Sequence, residues 1–246
     1  MNEPLVILSY PSPGIAQLML NRAEKRNALS IELLEVLLAA LETLEANPEH
    51  RVLIVRGAGP VFCAGLDLAE ANDPVRAHRS ADLVAEVLKR IATTRLVTIA
   101  AVHGAAIAGG AGLMSACDFA YAEVSAQIGY PETKRGLVAA LVMTFLRRQL
   151  RERDARELLL TGELCDASRA EAIGLLNRAV PADELMPIAM KTAHAVLQGG
   201  PAAVRETKRL LGELWPKTFD EDFERAFESH VKMRASSEVA EGVAAF

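Results

Sequence analysis

The stretch HGAAIAGGAGLMSACD, His103 to Asp118, carries four glycines and no charge before its final aspartate. It follows the apolar run LVTIAAV (96–102), and LVTIAAVHG reads as one buried strand that ends where the glycines begin. GLMSACD reads as a short helix feeding a further strand, FAYAE (119–123). A strand that opens into a helix leaves unpaired backbone N–H groups at the helix start, and the helix dipole suits that end to negative charge. Close packing of helix on strand is the alternative use of the same glycines.

On both sides of this stretch strands and helices alternate. LVILSY (5–10) and IAQLML (15–20) read as strands around the turn signal PSPG. Ser30 is a good N-cap for a helix running to Asn47-Pro48, with Leu34, Leu37, Leu38, Leu41 and Leu44 at helical spacing. RVLIVRG (51–57) is a strand, PVFCAG (60–65) a short extended piece, and SADLVAEVLKRIATT (80–94) a helix. Strand, strand, helix thus recurs at comparable spacing, which predicts an α/β fold of stacked ββα units with buried parallel strands. From about Arg147 the reading is mainly helical, with Gly199-Gly200-Pro201 as a break. The expected division is a core at 1–190 and a helical C-terminal region at 191–246.

Composition narrows the function. The chain of 246 residues is 51% hydrophobic and 24% charged, enough for a sizeable core. A net charge of −5 and an aromatic content of 4% argue against a nucleic-acid partner. No apolar run is long enough for a membrane span, and MNEPLVILSYPSPG has no basic leader, so the expectation is a cytoplasmic protein. Cys63, Cys117 and Cys165 have no C-x-x-C spacing and are expected to be reduced thiols; no metal site is expected. The glycine cluster lacks the G-K-[ST] of a phosphate loop and the G-x-G-x-x-G of a dinucleotide site. There is no G-x-S-x-G elbow and no H-E-x-x-H.

A second small-residue turn, GPVFCAGLDL (59–68), ends an apolar stretch with Asp67 placed as an N-cap. One backbone donor on each of two loops is a common way to make an oxyanion hole. With these two segments in view, the chain resembles the crotonases, the enoyl-CoA hydratase/isomerase superfamily. LNRAEKRNALS (20–30) is similar to that family's CoA-binding strand-turn-helix, and AQIGYPETKRGLVAA (126–140) to its segment with a catalytic glutamate. LLLTGELCDASRAEAIGLLNRAVP (158–181) is similar to its helix-turn-strand hallmark, and ASSEVAEGVAAF (235–246) to its last helix.

The resemblance implies a spiral of ββα units, a helical trimerisation region and acyl-CoA thioester chemistry through an enolate-like intermediate. It implies backbone donors at Leu66 and Gly109 and an acid–base role for Glu132. It implies CoA contacts from Lys25 and Arg26, from backbone near Ala28, and from Ala64, Gly65, Leu66, Asp67, Leu68 and Gly109. A trimer or hexamer is implied, with apolar Leu210, Leu211, Leu214, Trp215, Phe219, Phe223 and Phe227 near the C-terminus. Coenzyme A is part of the substrate, so no separate cofactor is expected.

Many hydratases of the family have a second glutamate where this chain has Gly112. Asp67 and Glu123 are possible substitutes, each read also as a cap or surface residue. The leading expectation is an enoyl-CoA hydratase. The alternatives are a β,γ-to-α,β enoyl-CoA isomerase using one glutamate, a catalytically silent acyl-CoA binder, and a thioester hydrolase or decarboxylase.

Overall fold

The computed structural model describes residues 3–71 and 73–214, and beyond them 220–221, 223–224, 227–228 and 231. The segment 235–246, Trp215 and Phe219 lie outside the described residues.

Nine strands form two sheets among the described residues. They are β1 (Val6–Ser12), β2 (Ile15–Leu20), β3 (Val52–Gly57), β4 (Val97–Val102), β5 (Ala105–Ile107), β6 (Phe119–Glu123), β7 (Gln127–Gly129), β8 (Cys165–Asp166) and β9 (Arg178–Val180). The larger sheet has the order β1-β2-β3-β4-β6-β9 and is parallel except at the β1–β2 hairpin. The smaller sheet, β5-β7-β8, is extended by isolated bridges joining Cys63 to Ala106 and Leu29 to Leu66.

Burial on both faces explains why residues 52–55 of RVLIVRG are apolar without alternation. Leu53 and Val55 face the core between the sheet and α1 (Ile31–Ala46), whereas Val52 and Ile54 face the opposite side. Ala100 and Val102 of β4 join the first set, and Val97, Ile99 and Ala101 the second. Ser30 caps α1 as its sequence position suggests, its hydroxyl accepting from the Leu33 N–H.

After α1 come α2 (Leu68–Ala71), α3 (Pro74–Thr93), α4 (Gly109–Ala116), α5 (Ala140–Gln149), α6 (Glu152–Thr161), α7 (Ala167–Ala172), α8 (Leu185–Gln198) and α9 (Pro201–Leu214). The third begins six residues earlier than its apolar pattern indicates, because Asp73 accepts from the Val75 and Arg76 N–H groups and Pro74 opens the helix. The glycine-rich α4 begins three residues earlier, at Gly109.

On the far face of the large sheet, Leu185, Ala189 and Ala193 of α8 are buried. Position 190, the expected division of the chain, falls inside this helix. Lys208 of α9 ties that helix to the sheet through Asp118 (2.6 Å) and the Leu96 carbonyl (2.7 Å). Leu210 and Leu211 of α9 are exposed, while Phe223 is buried in the first core and Phe227 packs against it. Cys63 and Cys117 are buried, and Cys165 partly so. Burial pushes the first two thiols up to about 12, which leaves them inert as nucleophiles.

The backbone of α4 lies directly on that of Cys63. A Cβ on Gly110 would collide with the Cys63 carbonyl, which is held in place by the Ile107 N–H at 3.0 Å. At Gly112 the nearest obstacle is only a valine methyl, Val142 Cγ2, 3.2 Å away. Gly110→Ala is therefore expected to lose about 3 kcal/mol of stability in urea unfolding, the upper part of the usual overpacking range. Gly112→Ala is expected to lose clearly less in the same measurement.

Candidate active site

The site begins where two stretches of backbone meet. Leu29 bridges Leu66 by accepting from the Asp67 N–H (3.2 Å) and donating to the Gly65 carbonyl (2.8 Å). In a parallel bridge this pattern turns the N–H of Leu66 itself away from Leu29. The Gly109 N–H is the first of α4, where no intrahelical acceptor exists. Among the described residues neither N–H donates a hydrogen bond.

Ala108, just before Gly109, has φ 49° and ψ −119°, a strained conformation for a residue with a side chain. Its N–H is pinned to the Gly129 carbonyl at 2.8 Å. Gly65, with φ +96°, fits beneath this turn: a Cβ there would come 2.8 Å from the Ile107 carbonyl oxygen and 3.4 Å from Gly109 N. Two free donors on two fixed chains thus sit side by side.

Glu132 belongs to a 3-10 turn, Pro131–Arg135, closed by Gly136 at φ 69° and by the Leu137 N–H bonding to the Glu132 carbonyl (3.0 Å). Buried Tyr130, immediately before the turn, bonds through its hydroxyl to Ser115 Oγ of α4 at 2.8 Å. Gln149 of α5 donates to the Ser115 carbonyl at 2.8 Å. The glutamate is thereby fixed relative to the helix whose first N–H is the Gly109 donor. The Glu132 side chain is buried, and its Oε2 has no hydrogen-bond partner among the described residues. Burial pushes its carboxyl up to about 7, partly offset by its own backbone N–H and by the charge of Arg135.

Ala64, Leu66, Leu68, Gly109, Glu132 and Arg135 line one cavity, whose remaining wall includes Val84 and Leu88 of α3 and the segment 137–142. Of the other expected residues, Lys25, Arg26, Ala28, Gly65 and Asp67 lie outside this lining. Lys25 and Arg26 are exposed at the turn before α1. The Arg26 carbonyl takes the Ala64 N–H at 3.0 Å, and the Ala28 carbonyl takes Arg22 Nη1 at 3.1 Å.

Asp67 is held by Arg22 at 2.6 Å and accepts the Ala69 N–H at 3.0 Å, a capping role. Burial works to raise its carboxyl, but the bonds from Arg22 and Ala69 outweigh it and hold the group below the usual range. Glu123 takes the Gly104 N–H at 3.4 Å and does not line the cavity, so neither carboxylate stands in for a residue at 112. A side chain at Gly112 would point at Val142 and Leu88, an apolar wall.

Sequence reasoning missed Asn27, whose buried amide donates to the Ala58, Val61 and Phe62 carbonyls and whose Oδ1 accepts from the Arg22 N–H. Its φ of 55° offers the one available signal, since asparagine tolerates left-handed backbone at a turn. Arg22, Tyr130, Ser115 and Arg135 were also not singled out, and nothing in their spacing marks them.

A family model described as "Enoyl-CoA hydratase/isomerase" matches residues 11–246. A Thermus thermophilus protein assigned as an enoyl-CoA hydratase is 39% identical over 238 residues, 94% of each chain. An Aspergillus fumigatus protein named as a mevalonyl-coenzyme A hydratase is 34% identical over 245 residues, 98% of this chain and 91% of that one. The crystal structure of an enoyl-CoA hydratase from Mycobacterium avium superposes with a TM-score of 0.87 at 33% identity, covering 100% of this chain and 96% of that one.

The raised carboxyl carries a stability consequence. Glu132 titrates at about 7 in the folded protein against 4.5 as its ordinary value, so the folded form holds its proton more tightly. Stability is whole below the lower value and is lost as pH rises through the upper. Glu132→Gln removes that loss, and its advantage over the wild type at about pH 8 is expected to be on the order of 3 kcal/mol. Urea unfolding should show the advantage shrinking to nothing at about pH 4, below both values.

Proposed function

The chain belongs to the enoyl-CoA hydratase/isomerase family, and from that premise we propose that it hydrates 2-enoyl-CoA thioesters with Glu132 as its acid–base group. The observation that carries this reading is a shared cavity: a buried glutamate with a partnerless oxygen faces the space lined by Leu66 and Gly109.

The thioester oxygen sits between the Leu66 and Gly109 N–H groups. Ionised Glu132 takes a proton from water while the water oxygen bonds to Cβ, and the double-bond electrons move to the thioester oxygen. The resulting enolate is held by the two donors, which act on charge that develops only along the reaction. Neutral Glu132 then returns its proton to Cα, and the product is the 3-hydroxyacyl-CoA. A carboxyl titrating at about 7 is suited to both transfers near neutrality. These steps consist of proton transfer and charge stabilisation, chemistry that uses neither a metal nor a redox cofactor. Coenzyme A enters as part of the substrate.

One observation favours a second reading. The apolar wall facing Gly112 removes the place of a second carboxylate. A single glutamate suffices to move a proton from Cα to Cγ in a 3-enoyl-CoA. A silent binder is disfavoured, because burying a carboxyl with one partnerless oxygen lowers stability, a cost that a proton-transferring role accounts for.

Turnover separates these readings. Wild type is expected to hydrate 2-hexenoyl-CoA, with Glu132→Gln lower by about 100-fold or more while still binding the thioester. Gly109→Pro, checked for an unchanged fold by circular dichroism, is expected to lose at least about 100-fold through the missing donor. Rapid conversion of 3-hexenoyl-CoA with no addition of water to 2-hexenoyl-CoA would establish the isomerase instead. Gly112→Glu is expected to raise hydration only together with Val142→Ala, which makes room for the new side chain.

The assembly we propose is a cytoplasmic trimer or hexamer, supported by the exposed Leu210 and Leu211 on α9. Light scattering at micromolar concentration should give three or six times the chain mass; a monomer would refute it.

A further inference from the structure

Resting on the acid–base reading of Glu132, we propose that Tyr130 and Ser115 are positioning residues that set Glu132 against the Gly109 N–H donor. Two consecutive residues, Gly129 and Tyr130, lead into the turn that carries the glutamate, and each grips α4. The Gly129 carbonyl takes the N–H of Ala108, the residue before Gly109, at 2.8 Å. The Tyr130 hydroxyl shares a 2.8 Å hydrogen bond with Ser115 Oγ, roughly two helical turns further along. Beyond the turn the chain enters α5, whose Gln149 side chain donates to the Ser115 carbonyl at 2.8 Å. Both flanks of Glu132 therefore converge on one serine.

Packing alone does not account for two hydroxyls here. Both side chains are buried, and a neutral hydrogen bond between them does little more than offset the water they lose. Phenylalanine facing alanine would exclude water as well. What the bond adds is a fixed distance and direction between α4 and the chain entering the turn. Neither residue lines the cavity of Leu66, Gly109 and Glu132, so neither touches substrate. Their side chains nevertheless share the surroundings of the glutamate. Burial pushes the Tyr130 phenol well above its ordinary range, the bond to Ser115 opposes that, and the charge of Glu132 adds to the rise. A donor and a carboxyl acting on one thioester must keep their separation, because a displacement of about 1 Å can cost on the order of 100-fold in rate. Loss of the bond is therefore a loss in kcat and not in KM.

The test separates positioning from stability. Ser115→Ala leaves the Tyr130 hydroxyl buried without this bond and should lower the urea midpoint. Combined with Tyr130→Phe, which removes the stranded hydroxyl as well, it should regain most of that midpoint. Turnover should not return with it. Whichever of 2-hexenoyl-CoA and 3-hexenoyl-CoA the wild type converts, the double variant should show kcat lower by about tenfold or more, with KM within about twofold. Should the double variant not fold, Tyr130→Phe alone carries the same comparison, since the Ser115 hydroxyl can then bond within its own helix.

A folded double variant with native kcat would overturn the proposal, because the pair would then only fill the core. A raised KM at native kcat would overturn it too. If the wild type converts neither thioester, the hydratase reading fails, and the placement of Glu132 is read instead from its own carboxyl. Carbon-13 NMR follows that resonance with pH, identified by its loss in Glu132→Gln. A turn released from α4 lets water reach the carboxyl, so its titration should fall from about 7 toward the ordinary 4.5, by about half a unit or more. Superimposed titrations of wild type and double variant would overturn the proposal in that case.

Discussion

The carbonyl oxygen of Cys63 occupies the place where a side chain on Gly110 would have to go. That close approach of backbone to backbone is the constraint on which the site depends. The Cys63 segment is tied to the strand beside it by Phe62 N–H to the His103 carbonyl (2.9 Å), Cys63 N–H to Ala105 (3.1 Å) and Ile107 N–H to Cys63 (3.0 Å). Three residues further along each chain, the bonding pattern runs out and the Leu66 and Gly109 N–H groups are left over. Their spacing is therefore fixed by the sheet, not by any side chain. Donors held this way need no reorganisation when charge appears between them. Asn27 secures the other edge of the arrangement, gathering three carbonyls of the same loop through one buried amide.

Two carboxylates near these donors are driven in opposite directions by their surroundings. Asp67 is paired with Arg22 and caps the following turn, so it stays ionised and structural. Glu132 is buried among apolar side chains, and burial moves it toward neutrality, where it exchanges protons readily. Environments that push two like groups apart are a sign of divided roles. Proximity to the two backbone donors would not by itself have told them apart.

The parts of the fold set by local rules were legible in the sequence. Ser30 and the leucine spacing after it give α1, and the unbroken apolar run at 52–55 gives a strand buried on both faces. Strands of three residues, such as β5 and β7, are too short to carry a period and exist only because they pair with each other. Leu66, Gly109 and Glu132 were reached through ordered motifs, and the geometry brings them to one cavity. The burial of Glu132 was not legible: its neighbours Thr133 and Lys134 are exposed, and the segment reads as a solvated turn. What encloses it comes from outside the segment: its turn packs against α6, and Glu132 lines a cavity walled by Leu66 and by Val84 and Leu88 of α3. Arg135 was missed for the same reason, since its direction follows from the turn being 3-10.

Gly112 shows how one substitution changes the whole division of labour. A second carboxylate reaching this cavity would set two like charges against each other and push one of the pair to bind a proton. With Val142 and Leu88 in that direction, no such repulsion exists, and desolvation is the largest influence on the titration of Glu132. One group near neutrality then populates both protonation states, which is the condition for a single residue to take a proton and return it. In the hydration we propose, the same wall leaves water with one carboxylate to hold it instead of two, so orientation falls on Glu132 and on the polarised thioester. Val142 and Leu88 also line the cavity that Glu132 shares, and they make that side of it apolar. The surroundings of the one carboxyl and the polarity of its cavity are thus set in part by the same two side chains.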